Sequence, residues 1–212
     1  MKRTPITDGW GFLTEPAWYT AVFWFLILAS GAIALVVLAR APEQRALKHV
    51  LDWPLRFLVG AMWWQQSLWK LPPYYTDDPA APFGTTGLAF WMKQMVEFAP
   101  FELQASFVKN VVLEHFYLIA PLVYLTEVAI GVSLILGLLT RLGGLAGFLM
   151  AANLWAGLYV APHEWPWTYF FLVVIQAIYT LHPPGRSLGL DVLLRARPAA
   201  AGWAPRLVHA AT

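Results

Sequence analysis

Between Phe116 and Thr140 a single residue is charged: Glu127, in the stretch "YLTEVAIGVSLILGLLTR". A carboxyl group midway along so apolar a run supports two kinds of chemistry. It can lock helices together, either protonated or paired with Gln66 or the tip of an Arg or Lys. It can instead face a pocket, hold a polar headgroup and handle a proton, which is the default reading of an ionisable group inside a membrane. Three further apolar runs carry hydrogen-bonding side chains at matching depth: Gln65 with Gln66, Asn153, and Gln176. Unpartnered polar groups are costly in hydrocarbon, so these side chains are expected to turn inward and meet as one polar layer.

Helical phase extends the set. Arg56, Trp63, Gln66 and Lys70 are spaced by 7, 3 and 4 residues and share one helix face. Gly131 lies one turn from Glu127 and leaves room for a neighbouring helix. Gly143, Gly147 and Ala151 form a small-residue ridge just before Asn153, and Tyr179 follows Gln176 by one turn. Trp63, Trp64, Tyr124 and Tyr179 offer flat apolar walls that suit a quinone ring and equally suit an ordinary helix interior. The expected site therefore has Glu127 and Lys70 as its chemically active residues. Gln66, Trp63, Asn153, Gln176 and Tyr179 are expected to line a headgroup pocket around them.

The elements that must position these residues are transmembrane helices. Hydrophobic residues make up 59% of the 212, charged residues only 12%, and the mean hydropathy is +0.56. A soluble domain carries about 25% charged residues. Residues 16–39 and 142–162 are uncharged throughout, and at about 1.5 Å of rise per residue each crosses a hydrocarbon core of roughly 30 Å. Residues 53–71 carry Arg56 and Lys70 near opposite ends, where long cationic side chains reach the headgroups. The expected spans are about 17–39, 53–71, 116–140, 142–161 and 165–182. The fold class is an all-α membrane protein: a four-helix transmembrane bundle with one extra N-terminal helix. Trp18, Tyr19, Trp53, Tyr117, Tyr159, Trp165 and Trp167 mark the span ends as interfacial aromatics. The first run ends "VLARAP", which imitates a signal-peptidase site. It exceeds the roughly 7–15 residues of a signal core, so it is expected to be retained.

Lys and Arg counts orient the chain. Nine fall on the side of Arg40, Arg45 and the C-terminal tail, five on the other, which places the C-terminus in the cytoplasm and the N-terminus outside. No cysteine is present, which excludes disulfides, iron–sulfur clusters and persulfide chemistry on this chain. Without a basic stripe interleaved with exposed aromatics, nucleic acid is not an expected partner. Glu114–His115 and His163–Glu164 stand at the predicted outer surface. Their bland reading, polar residues facing water, is preferred to a metal site because no ligand spacing lies within one helix.

The organisation is one membrane domain, residues 1–195, and a polar tail, 196–212, expected to be poorly ordered unless a partner holds it. Residues 43–51 are expected to form a short amphipathic surface helix. The long connection, 72–114, opens with "PPYYTDDPAAPFGTTG" and continues as two amphipathic helices broken at Pro100. A connection of this length with apolar faces of its own packs as a cap or carries a site.

Three motifs occur in order: "RFLVG" with "SLWK", "EVAIGVSLILGLLTR", and "GRSLGLD". With them, residues 50–194 resemble the DoxX/DoxD family of bacterial and archaeal membrane proteins. The resemblance implies a four-helix bundle in the cytoplasmic membrane, association with other membrane subunits of a redox complex, and lipid contact. Its DoxD branch is similar to the membrane subunit of thiosulfate:quinone oxidoreductase, which passes electrons from thiosulfate to quinone. On that reading quinone is the cofactor, Glu127 shapes its pocket, and Lys70 attracts an anionic substrate. Arg56 and Arg186 are then structural or lipid-phosphate anchors. The alternative is a non-catalytic accessory subunit of a respiratory or photosynthetic complex. A transporter is the weaker third reading, since broken helices and inverted repeats are lacking.

Overall fold

The computed structural model describes residues 4–72, 75, 87–162, 164–196 and 203–212. Among them there is no strand. The helices are α1 (Pro5–Thr14), α2 (Trp18–Arg40), α3 (Leu47–Leu68), α4 (Leu88–Phe98), α5 (Glu102–Phe107), α6 (Phe116–Leu136), α7 (Thr140–Leu158), α8 (Pro166–Leu181), α9 (Leu190–Arg195) and α10 (Trp203–Ala211). A π-helical stretch, Val108–Leu113, continues α5, and 3₁₀ turns at Pro42–Arg45 and Pro184–Arg186 join longer elements.

Local chemistry sets several of these boundaries. Thr4 caps α1 reciprocally with Thr7: each side-chain oxygen accepts from the other's backbone N–H, at 3.1 and 2.9 Å, with Pro5 at the first helical position. Gly137, at φ 67°, ends α6 in the left-handed conformation that glycine adopts without strain. The third apolar run therefore stops at Leu136 and not at Thr140, and Thr140 opens α7. Pro100 separates α4 from α5, as its missing N–H requires.

Two expectations are corrected. Residues 43–51 do not form a surface helix of their own. A 3₁₀ turn ends at Arg45, whose guanidinium donates to the Leu38 carbonyl at 3.1 Å, and α3 then runs unbroken from Leu47 through Pro54. The C-terminal tail is not loose throughout, because α10 is anchored at its end. Arg186 donates to the Thr212 carbonyl at 2.8 Å, Arg195 adds a longer contact, and Thr212 is fully buried.

α2 and α6 are each long and apolar enough to cross a membrane, with mean hydropathies of 2.6 and 2.0; α8 is apolar but shorter. Each of the five long helices turns large apolar side chains outward: Leu28, Leu58, Leu122, Leu142 and Ile178 are all exposed. An apolar exterior of that extent is the mark of a lipid-facing surface. Inside, α3 packs along α6, α7 packs along α8, and α6 meets α7, while α2 lies outside against α6. Gly60 and Gly131 bring α3 and α6 into backbone contact. A Cβ on Gly60 would stand 2.8 Å from the Ile135 nitrogen, and one on Gly131 would stand 3.0 Å from that of Trp64. α3 and α8 scarcely touch, so the bundle is open along one side.

Candidate functional site

Three residues past the serine that closes α3's last turn, Lys70 turns back into the protein. Ser67 accepts the Lys70 backbone N–H at 3.0 Å, which fixes that turn. The ammonium then donates to both oxygens of Glu127, each at 2.5 Å, and lies 4.1 Å from the centre of the Trp69 ring. Lys70 is 4% exposed and Glu127 1%. A bidentate pair with an aromatic face over the cation compensates two charges that would otherwise be prohibitive in an apolar interior.

The pair forms part of the wall of a cavity of about 1150 Å³. Its floor is at Trp63 and Met62 on α3 and Ala146 on α7. Its roof comes from α4 and the π-helical stretch, through Leu88, Met92, Met95 and Val108. Four of the chain's five methionines, Met62, Met92, Met95 and Met150, line it. Thioether side chains give an apolar surface that adapts to the shape of a ligand. Polar groups gather toward the roof: Gln66, Asn153, Thr168, and Glu164, which accepts from the Tyr169 hydroxyl at 2.8 Å. Gln65 on α3 and Thr168 and Leu172 on α8 line the cavity where the backbones of those two helices stand apart.

Of the seven residues the sequence singled out, five surround this cavity: Glu127, Lys70, Trp63, Gln66 and Asn153. The single polar layer is not formed. Gln66 is exposed and accepts from the Trp69 indole N–H at 3.2 Å; Asn153 accepts from the Gln104 amide at 2.6 Å. Gln176 is fully buried behind the floor, beside Gly147, and neither of its amide atoms has a protein partner. Tyr179 packs against the Trp63–Ile130–Leu134 cluster rather than the cavity. Helical phase sends each side chain to a different neighbour. Sequence reasoning missed Trp69, Trp91 and the methionines, and it weighed Glu164 only as an interfacial or metal-site residue. The i, i+3 spacing of Met92 and Met95 on an amphipathic helix was the available signal. His115 is exposed, His163 lies outside the described residues, and no group of metal-ligating side chains occurs among the described ones.

Parts of the three sequence motifs meet at the opposite end of the bundle, as a clasp, while Lys70 of "SLWK" and Glu127 stay at the cavity. Arg56, fully buried, donates through Nη1 to the carbonyls of Leu134 and Ile135, the latter at 2.9 Å. Asp191 accepts from the backbone N–H groups of Leu139 (2.6 Å) and Thr140 (3.0 Å) and from the Thr140 hydroxyl (2.6 Å). These bonds hold Leu139 at φ 51° and supply the first turn of α7 with its acceptor. Burial pushes the Asp191 carboxyl above its ordinary range, against the pull of those hydrogen bonds and of Arg56. Gly137, Gly185 and Gly189 pack so closely here that a Cβ on Gly189 would stand 2.5 Å from the Gly185 carbonyl. Gln44 bridges the Arg186 carbonyl and the Leu188 N–H, at 3.2 and 3.0 Å. The clasp is structural: Arg56 Nη1 and both oxygens of Asp191 are spent on closing helix ends.

A family model described as the TQO small subunit DoxD matches residues 52–204. The chain belongs to the DoxD family. The matched segment takes in the cavity's α3, α6, α7 and α8 walls and Arg56, Thr140 and Asp191 of the clasp, while α1, α2 and Gln44 precede it. No curated protein and no solved structure matches this DoxD chain.

Proposed function

We propose that this DoxD protein is the quinone-linked membrane subunit of a thiosulfate:quinone oxidoreductase-like complex, and that the cavity beside Lys70 and Glu127 receives the quinone headgroup. In this reading α2, α3, α6, α7 and α8 all cross the bilayer, four as the bundle and α2 as an additional helix available for a partner subunit. The Lys and Arg count puts α10 in the cytoplasm. The observation that carries the reading is the buried, bidentate Lys70–Glu127 pair on the wall of a methionine- and tryptophan-lined cavity. Family membership agrees with it.

The residues fit such a group. Trp63, Trp69 and Trp91 provide flat faces, the methionines an adaptable apolar lining, and the gap between α3 and α8 a sideways route for a lipid-soluble molecule. A quinone supplies two-electron, two-proton redox chemistry when bound. Lys70 offers a cation to a ring oxygen that gains electron density. Glu127 offers a carboxyl that can carry a proton to it. Lys70 is committed to Glu127 and sits below the surface, so it suits charge stabilisation inside the cavity better than capture of thiosulfate from solution.

A second reading has its own support. Lys70 satisfies both oxygens of Glu127, as a lock between α3 and α6 would require, so an accessory structural subunit also accounts for the pair. Purification with native lipid, followed by quinone extraction and an assay of thiosulfate-dependent quinone reduction by the assembled complex, separates the two. Co-purified quinone and activity lost in Glu127→Gln support the redox reading. An intact complex with neither supports the structural one.

A further inference from the structure

We propose that the cavity and its Lys70–Glu127 pair exchange water and protons with one side of the membrane only, the side that carries α4 and α5. The proton part of this inference rests on the quinone reading above; the one-sided opening does not. Beside the apolar roof, the cavity's exposed polar lining, Gln66 and Asn153, lies toward that side, while Thr126 and Glu127 sit midway along α6. Lys70 follows the end of α3, Glu164 precedes α8, and the Glu164–Tyr169 bond and the Gln104–Asn153 bond both lie on its roof side. Toward α10 the cavity stops at a plug. Trp63, Ile130 and Leu134 are between 0 and 2% exposed and pack together with Tyr179 across the line where α3 and α8 are otherwise apart.

Beyond the plug the chemistry opposes a proton path. Arg56 stands one heptad behind Trp63 on the same face of α3, fully buried, with Nε and Nη2 lacking any protein partner. Those free guanidinium nitrogens leave sites where single waters can be held. A fixed guanidinium in a low-dielectric interior raises the energy of an excess proton on any such water, as a cation does in a proton-excluding pore; the Asp191 carboxyl, whose oxygens are held by Leu139 and Thr140, offsets this in part. Quinone reduction takes up two electrons and two protons. The electrons come from the sulfur reductant, and both protons would enter from the α4–α5 side through Glu127. Nothing in this route carries charge across the membrane.

The chain contains no cysteine, so single thiols report solvent access directly. Met150→Cys on the cavity wall and, as a second position, Thr126→Cys would be probed in oriented proteoliposomes with a membrane-impermeant methanethiosulfonate; Gln176→Cys reports the space behind the plug. We expect both cavity thiols to be modified from the α4–α5 side and neither from the α10 side, with the Gln176→Cys thiol unreactive from the α4–α5 side. Modification of cavity thiols from the α10 side, or from neither side, overturns the inference. Turnover of the full complex with a pH-sensitive dye in each compartment tests the proton half. Alkalinisation confined to the α4–α5 compartment is expected, and alkalinisation on the α10 side overturns it. A complex that reduces no quinone refutes the quinone reading instead, while thiol labelling still decides the sidedness.

Discussion

Lys70 and Glu127, 57 positions apart in sequence, form a bidentate ion pair at 2.5 Å inside the bundle. The pair ties the turn after α3 to the middle of α6 and sets buried charge on the wall of a cavity large enough for a ligand.

Breaking the pair from one side should cost more than removing it whole. Lys70→Met leaves the Glu127 carboxylate buried without a partner and should destabilise the protein by about 3–5 kcal/mol. Lys70→Met combined with Glu127→Leu should recover most of that loss. Thermal unfolding in detergent checks both. A single variant as stable as the double one would mean that the pair is not desolvated as described.

Helix contact at Gly60 should tolerate no side chain. A Cβ there meets backbone of α6, which has nowhere to move. Gly60→Ala should destabilise by about 1–3 kcal/mol, as overpacking does, and Gly31→Ala, with open space around it, should not. The comparison of their melting temperatures is the measurement.

The Asp191 clasp should be worth more than a surface helix cap. Asp191→Ala removes the acceptor for two backbone donors and one hydroxyl. A loss of roughly 2 kcal/mol, the upper end for a lost helix cap, is expected. Proteolysis should then appear first at the α6–α7 link, and limited digestion with mass mapping would reveal it.

Gln176 makes the opposite prediction. Both of its amide atoms are buried without a protein partner, so Gln176→Leu should be neutral or stabilising by about 1–3 kcal/mol. A marked loss of stability would show that a bound water or ligand satisfies the amide.

Much of this architecture was legible in the residues. Apolar runs, Pro100 and the interfacial aromatics located the long helices and the break in the 72–114 connection, because length and chemistry decide those locally. The start of α3 was not legible: residues 43–51 read as a separate surface helix and 53–71 as the span, yet α3 runs unbroken from Leu47 through Pro54. Glu127 and Lys70 were both singled out, but not as each other's partner, because pairing depends on how two helices are rotated and sequence spacing fixes phase only within one helix. For the same reason the expected ring of Glu127, Gln66, Asn153 and Gln176 did not close. The roles of Gly137 and Asp191 emerged only when the motifs that contain them were seen to meet at one end of the bundle.

The central claim is that Glu127 takes part in quinone chemistry at this cavity, and the most direct test is thiosulfate-dependent quinone reduction by the assembled complex carrying Glu127→Gln. Glutamine keeps the size and a hydrogen-bond acceptor for Lys70 but carries no exchangeable carboxyl proton. The account predicts an assembled complex that still binds quinone and has lost most of its turnover, by about 10²-fold or more, the usual contribution of a general acid. Turnover unchanged from that of the unsubstituted complex would contradict it and leave the pair as a lock between α3 and α6.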